Sequence, residues 1–280
     1  MSVQISQLHT FVGRKGELAT LTGWLTDKGT RLVTLAGVGG VGKTELALSL
    51  VRSLRTHFRD GVFFVSFTDV GTDTDADAFV RKLADGLNLK PGAVLEDVHA
   101  FLGTKHALLV LDNLEHLRSH VSLLPTLLQA CPDLHILATS RERLHLQNET
   151  LLKLSGLPCE RADECWALEL LQLRAAHAGY PIAKDTFADA LRIVRAVDGL
   201  PLAIELAASW LGAFSPAQVA RRLEQGLDFL AEQSPSKAGR HRSIEAAFDV
   251  SYDLLSSEQK AALTNLSVFA SAFTFDVRGG

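Results

Sequence analysis

The sequence predicts an α/β domain, a parallel sheet covered by helices on both faces, followed by an all-helical domain. Three observations carry that expectation. Short apolar runs alternate with helical patterns up to about residue 157, a glycine-rich loop follows the first run directly, and no further such run occurs until the last ten residues. A strand buried on both faces reads as a continuous apolar run, and strands separated by helices need crossovers that leave them parallel.

The first run, 31–36 (Arg-Leu-Val-Thr-Leu-Ala), is β-rich and short. From 44 to 58, Leu46, Leu48, Leu50, Val51 and Leu54 recur at helical spacing with no breaker between them. The stretch 61–67 is a second buried run, 106–111 a third, 135–139 a fourth and 151–154 a shorter fifth. Helical patterns fill the intervals at 75–87, 95–102 and 121–130. Beyond residue 157, the stretches 165–178, 186–197, 201–214 and 216–230 read as helices. In the second of these, Phe187, Leu191 and Val194 form an i, i+4, i+7 stripe. Gly199 suits a helix C-terminus, and Pro201 the first turn of the next helix. The polar, breaker-rich stretch 233–241 reads as a linker. After it come helical patterns at 243–255 and 257–269 and a strand-like alternation at 273–277.

The organisation expected is therefore 1–157, 158–232, a linker 233–241, and 242–280. Apolar residues make up 47% and charged residues 21% of 280, ordinary for a soluble globular chain. No run approaches the roughly 18 apolar residues of a membrane span, and the most apolar helical stretch is interrupted by Glu205. The first ten residues lack a basic patch followed by an apolar stretch, so no secretory signal is expected. Cys131, Cys159 and Cys165 fit neither a disulfide framework nor metal-ligand spacing. These readings predict a reduced, cytoplasmic protein without membrane attachment. A net charge of −4 weighs against a surface that coats nucleic acid.

The chemistry is carried by Gly37-Val38-Gly39-Gly40-Val41-Gly42-Lys43-Thr44, which meets the pattern G-x-x-x-x-G-K-[ST]. Glycines let the backbone curl with its N–H groups turned inward, and the helix that follows adds the positive end of its dipole. Lys43 can reach the β- and γ-phosphates of ATP or ADP, and the Thr44 hydroxyl can ligate Mg²⁺. Downstream, Asp112 ends the apolar run Leu108-Leu109-Val110-Leu111, where a P-loop ATPase needs a carboxylate to complete the Mg²⁺ shell. Asn113 follows it, so the usual water-activating acid is missing from that position; Glu115 is either its stand-in or a solvated loop residue. In Thr139-Ser140-Arg141, Arg141 could sense a γ-phosphate, or belong to the charged surface run Arg141-Glu142-Arg143.

Taken in order, these motifs resemble the STAND class of P-loop ATPases, which includes the NB-ARC proteins. The resemblance rests on Phe11-Val12-Gly13-Arg14 with Glu17, the loop at 37–44, Leu111-Asp112-Asn113-x-Glu115-His116, Thr139-Ser140-Arg141, and Gly199-Leu200-Pro201-Leu202-Ala203. The form of the third motif and the segment 243–252 look most like the bacterial transcription-regulator branch. The resemblance implies that Val12 and Arg14 lie near the adenine, that Pro201 packs against the base, and that Arg141 is a sensor. It implies a helical second domain and a partial winged helix from about residue 242. It further implies a regulatory switch with slow hydrolysis, locked by ADP, opened by exchange for ATP and self-associating in that state, acting on an effector the sequence does not name. The stretch resembling the winged helix ends before the class's phosphate-contacting His, which would leave the ADP lock incomplete. The other readings are a fast ATPase and a DNA-binding regulator acting through the winged helix.

Overall fold

A computed structural model describes residues 11–27, 29–68, 70, 75–117, 120–159, 165–225 and 256–266. The sheet consists of β1 (Leu32–Ala36), β2 (Val62–Ser66), β3 (Ala107–Asp112), β4 (Leu134–Ser140) and β5 (Thr150–Lys153). Their order is β2-β3-β4-β1-β5, and every pairing is parallel. Every residue of the inner strands β1, β3 and β4 is buried, whereas the edge strands are mostly half-buried. This is why the inner strands read as unbroken apolar runs.

Period-two alternation divides those side chains between two cores. On one face Leu32, Leu109, Leu111, Ile136 and Ala138 pack with α3 (Ala76–Gly86), α4 (Leu95–Leu102) and α5 (Leu123–Ala130). On the other, Val33, Leu35, Leu108, Val110 and Leu137 meet α1 (Lys15–Thr26) and α2 (Lys43–Leu54). Helix α1 was not expected from the sequence, although its Leu21 and Leu25 lie four apart and are fully buried.

The chain runs from β1 to the far edge, returns through β3 and β4, and passes β1 to reach β5. The strand ends of β1 and β4 thus flank a topological switch point, the place where open α/β sheets bind ligands.

A third core joins α6 (Trp166–His177), α7 (Phe187–Ala196), α8 (Pro201–Trp210) and α9 (Pro216–Gln225), with Val12 and Leu157 packed into it. Helix α8 is shorter than the expected 201–214. Residues 211–213 form a turn containing Gly212, a poor helix residue, and Pro216 then starts α9. Cys159 and Cys165, read as unpaired, form a disulfide, while Cys131 is buried and free. At the start of α6 the Cys165 sulfur also accepts from Leu168 N–H at 3.3 Å; a lone pair of cysteines six residues apart carried no disulfide signal in the sequence.

Helix α10 (Ser257–Leu266) belongs to the expected winged-helix stretch. The linker at 233–241, the helix expected at 243–255 and the strand-like 273–277 lie outside the described residues. No described helix is long and apolar enough to cross a membrane.

Candidate nucleotide site

The glycine loop connects β1 to α2, so the N-terminus of α2 faces the C-terminal ends of β1, β4 and β3. Gly40 has φ +77, and a Cβ there would come within 2.7 Å of the Leu202 Cβ, so no other residue fits without displacing α8. Its carbonyl accepts from Leu202 N–H at 3.2 Å, which ties the loop to the first turn of α8. Val41 is fully buried beneath the loop and anchors it, while Val38 stands 61% exposed at its tip. Lys43 is buried and donates to the carbonyls of Gly37 at 2.7 Å and Val38 at 3.1 Å.

Thr44 Oγ1 donates to the Asp112 carboxylate at 2.9 and 3.1 Å. Thr139 Oγ1 donates to the same group at 2.6 Å and in turn accepts from Asn113 N–H at 2.9 Å. Because β4 lies between β1 and β3, its Thr139 sits beside the carboxylate that Thr44 reaches. Burial pushes the Asp112 carboxyl up, partly opposed by the Thr139 and Thr44 hydroxyls. Burial likewise pushes the Lys43 ammonium down, against the pull of Glu115 and Asp112 and with the push of Arg141. All four charges therefore share one partly desolvated space.

Asn113 occupies the left-handed region at φ 72, and the tight turn Leu114–His116 follows. Asn tolerates that conformation better than most residues. Leu114 is fully buried and anchors the turn, which carries Glu115 back toward the strand ends. The solvated reading of Glu115 is thereby corrected: its side chain is 3% exposed and accepts from Arg141 Nε at 3.0 Å. Arg141, 14% exposed, is not a surface residue either.

A cavity of about 460 Å³, including its solvent-open mouth, adjoins the loop. Phe11, Val12, Arg14, Val41 and Gly42 form one wall. Leu157, Leu170 and Pro201 form the other, with the α6–α8 ion pair Arg174–Glu205 at 2.8 Å. Val12, Arg14 and Pro201 thus share one cavity. The Arg14 guanidinium is committed to Val41 O at 3.0 Å, Ser155 O at 2.7 Å and Glu17 at 3.0 Å. It acts as a staple between segments, and burial lowers its pKa despite Glu17. Leu170, Arg174 and Glu205 carried no sequence signal; they are brought in by the packing of α6 on α8.

The loop after Arg141 is organised by Glu149, whose side chain is fully buried. It accepts from Leu144 N–H at 2.9 Å, Leu146 N–H at 3.3 Å and Arg143 Nε at 3.1 Å. Burial raises its pKa, but these hydrogen bonds outweigh that and hold the carboxyl below its ordinary value. A folded-state pKa below the unfolded one stabilises the fold above the unfolded value of about 4.3, and that contribution is lost as pH falls through the folded value. Glu149→Gln should therefore lower stability by about 1–2 kcal/mol at pH 7. Its urea midpoint should fall less steeply with acidification than that of the wild type; parallel slopes would refute the assignment.

A family model described as an AAA domain matches residues 26–154. A Mycobacterium tuberculosis protein bearing the name of an HTH-type transcriptional regulator is 36% identical over 247 residues, covering 87% of this chain. The chain spans only 27% of that regulator's length. Among solved structures, Drosophila ORC bound to DNA superposes with a TM-score of 0.53 at 15% identity, covering 94% of this chain and 83% of that one, a likeness of fold alone. An uncharacterised protein of M. tuberculosis is 33% identical over 281 residues, covering 99% of this chain and 70% of the relative. Kinship over that whole span extends well past the AAA match, and the chain belongs with this mycobacterial relative to a family of P-loop NTPases.

Proposed function

We propose that the protein is a nucleotide-operated regulatory switch of the STAND kind, NB-ARC-like in its site, that binds ATP or ADP with Mg²⁺ and hydrolyses ATP slowly. One observation carries this reading: the cavity beside the phosphate loop has walls from both the sheet domain and the helical unit. A nucleotide filling it would touch both, so the identity of the nucleotide could set their relative position. The loop N–H groups, the α2 N-terminus and Lys43 would take the phosphates, and the base would lie between Val12 and Pro201. In this reading the ATP form self-associates and acts on an effector, in the cytoplasm, in signalling or transcriptional control; the mycobacterial relatives named as regulators support that setting.

The Thr44 hydroxyl and Asp112 carboxylate, 2.9 Å apart at the loop, fit Mg²⁺, which prefers oxygen ligands and takes few from protein. Among the described residues no cluster of three or more acidic, His or Cys side chains offers another metal site. When bound, the ion would offset phosphate charge. Asp112→Ala should therefore remove the difference in affinity between MgATP and ATP with EDTA, measured by calorimetry. A full Mg²⁺ dependence in that variant would reject the assignment.

The experiment that tests the switch is mass spectrometry of nucleotide released from the purified protein, followed by titration with MgADP and MgATP. Bound ADP or ATP, with steady-state turnover below roughly 1 s⁻¹, is the expected result. Faster turnover would favour a motor, and failure to bind either nucleotide would overturn the proposal.

A further inference from the structure

We infer that Glu115 and Arg141 form a latch on hydrolysis: Arg141 holds the carboxylate of the water-activating residue, and the terminal phosphate of ATP draws Arg141 away from it. The inference rests on the nucleotide reading above and adds what distinguishes ATP from ADP at this site.

The two oxygens of Glu115 are treated differently. Oε1 accepts from Arg141 Nε at 3.0 Å, whereas Oε2 is buried without any hydrogen-bond partner. A buried carboxylate oxygen without a donor is costly, and such an atom marks the place of a missing polar group. Glu115 also lies near enough to the phosphate loop for its charge to act on the buried Lys43 ammonium. Water is the group that fits: it can donate to Oε2 and present its oxygen toward a phosphate cradled by the loop.

Arg141 and Glu115 come from neighbouring strand ends, Arg141 directly after β4 and Glu115 from the turn after β3. The rigid inner strands fix where each side chain starts. A guanidinium prefers the paired oxygens of a phosphate, which present more charge and a better match to its fork than a single carboxylate oxygen. Only a nucleotide with a third phosphate extends its charge beyond the second one, so ADP leaves the ion pair in place. Once Arg141 turns to the third phosphate, Glu115 stays buried and loses its nearest cation. The carboxylate can then accept a proton from water, as a general base requires.

The step then balances. The water oxygen forms a bond to the γ-phosphorus as the bond from that phosphorus to the β–γ bridging oxygen breaks. The electron pair leaves with ADP, and the water proton passes to Glu115 Oε2. When inorganic phosphate departs, the proton is lost to solvent and Arg141 returns to Glu115.

The latch predicts effects of opposite sign on nucleotide preference, which a merely structural ion pair would not produce. The full chain, Glu115→Gln, Arg141→Ala and Arg141→Lys are titrated with MgADP and with a non-hydrolysable ATP analogue, and single-turnover hydrolysis of ATP is followed. Glu115→Gln should slow hydrolysis at least a hundredfold and raise the analogue-to-ADP affinity ratio about tenfold. Arg141→Ala should lower that ratio about tenfold, and Arg141→Lys should recover part of it. Thermal melting without nucleotide reports that each variant is folded, and the affinity ratio removes any effect common to both nucleotides. Hydrolysis by Glu115→Gln within about threefold of wild type overturns the latch, as does a ratio that moves the same way in both alanine and glutamine variants. If Glu115→Gln does not fold, an unchanged ratio in Arg141→Ala overturns it alone. Loss of MgADP binding by the wild type would instead sink the nucleotide reading itself.

Discussion

Replacing Lys43 by Ala should weaken MgATP and MgADP binding at least a hundredfold, about 2.7 kcal/mol or more, while the protein stays folded. The lysine is already gathered into the loop, with Nζ 2.7 Å from the Gly37 carbonyl and 3.1 Å from that of Val38. Its ammonium therefore needs little reorganisation to meet an anion. Burial that lowers its pKa is the mark of a charge kept in a partly dry place with incomplete compensation. An incoming phosphate would supply that compensation. The N–H groups of the loop and the dipole of α2 remain in the variant, so some affinity should survive, but the only full positive charge inside the loop is gone. Isothermal titration of wild type and variant measures the difference, and thermal melting without nucleotide checks the fold. A variant that binds MgADP within about threefold of wild type would show that the phosphates lie elsewhere.

Legibility in the sequence follows the range of the physical signal. Strands β1, β3 and β4 were readable because burial on both faces imposes a run of apolar residues on neighbouring positions. The phosphate loop was readable for the same reason: its chemistry is carried by eight consecutive residues. Glu115 could be named as a candidate but not chosen over its solvated reading, because its burial depends on Asn113 at φ 72 and on the turn that follows. A left-handed Asn is invisible to hydrophobic periodicity. The second wall of the cavity was only half legible. Pro201 could be placed by its motif, but Leu170, Arg174 and Glu205 arrive there through packing between helices far apart in sequence. The Cys159–Cys165 pair was missed because two cysteines six residues apart match no disulfide or metal-ligand spacing that a sequence alone makes readable.

Gly199→Ala should lower stability by about 3–4 kcal/mol, combining roughly 1 kcal/mol of left-handed strain with about 2–3 for displaced packing. Gly199 has φ +63, and a Cβ on it would overlap the carbonyl oxygen of Leu157. The same two segments meet a second time, where a Cβ on Gly156 would overlap the carbonyl oxygen of Asp198. Leu157 N–H donates to Gly199 O at 2.8 Å between these contacts. Backbone lies on backbone, so no flexible side chain can move aside and the strands of chain must separate. For a domain pair of this size the loss corresponds to a fall in melting temperature of about 10 °C. Gly23→Ala is the matched control: it lies in α1 with nothing within 4 Å of the new Cβ, and it should stabilise by about 0.5–1 kcal/mol. The consequence for the site follows from two residues farther along. Pro201 lines the cavity and Leu202 N–H holds Gly40, so a segment forced off Leu157 carries the first turn of α8 away from the phosphate loop. Nucleotide affinity should therefore fall together with stability in Gly199→Ala, whereas an ordinary cavity mutation in the helical core would lower stability alone. A melting temperature within about 2 °C of wild type would mean that this backbone contact does not join the two units.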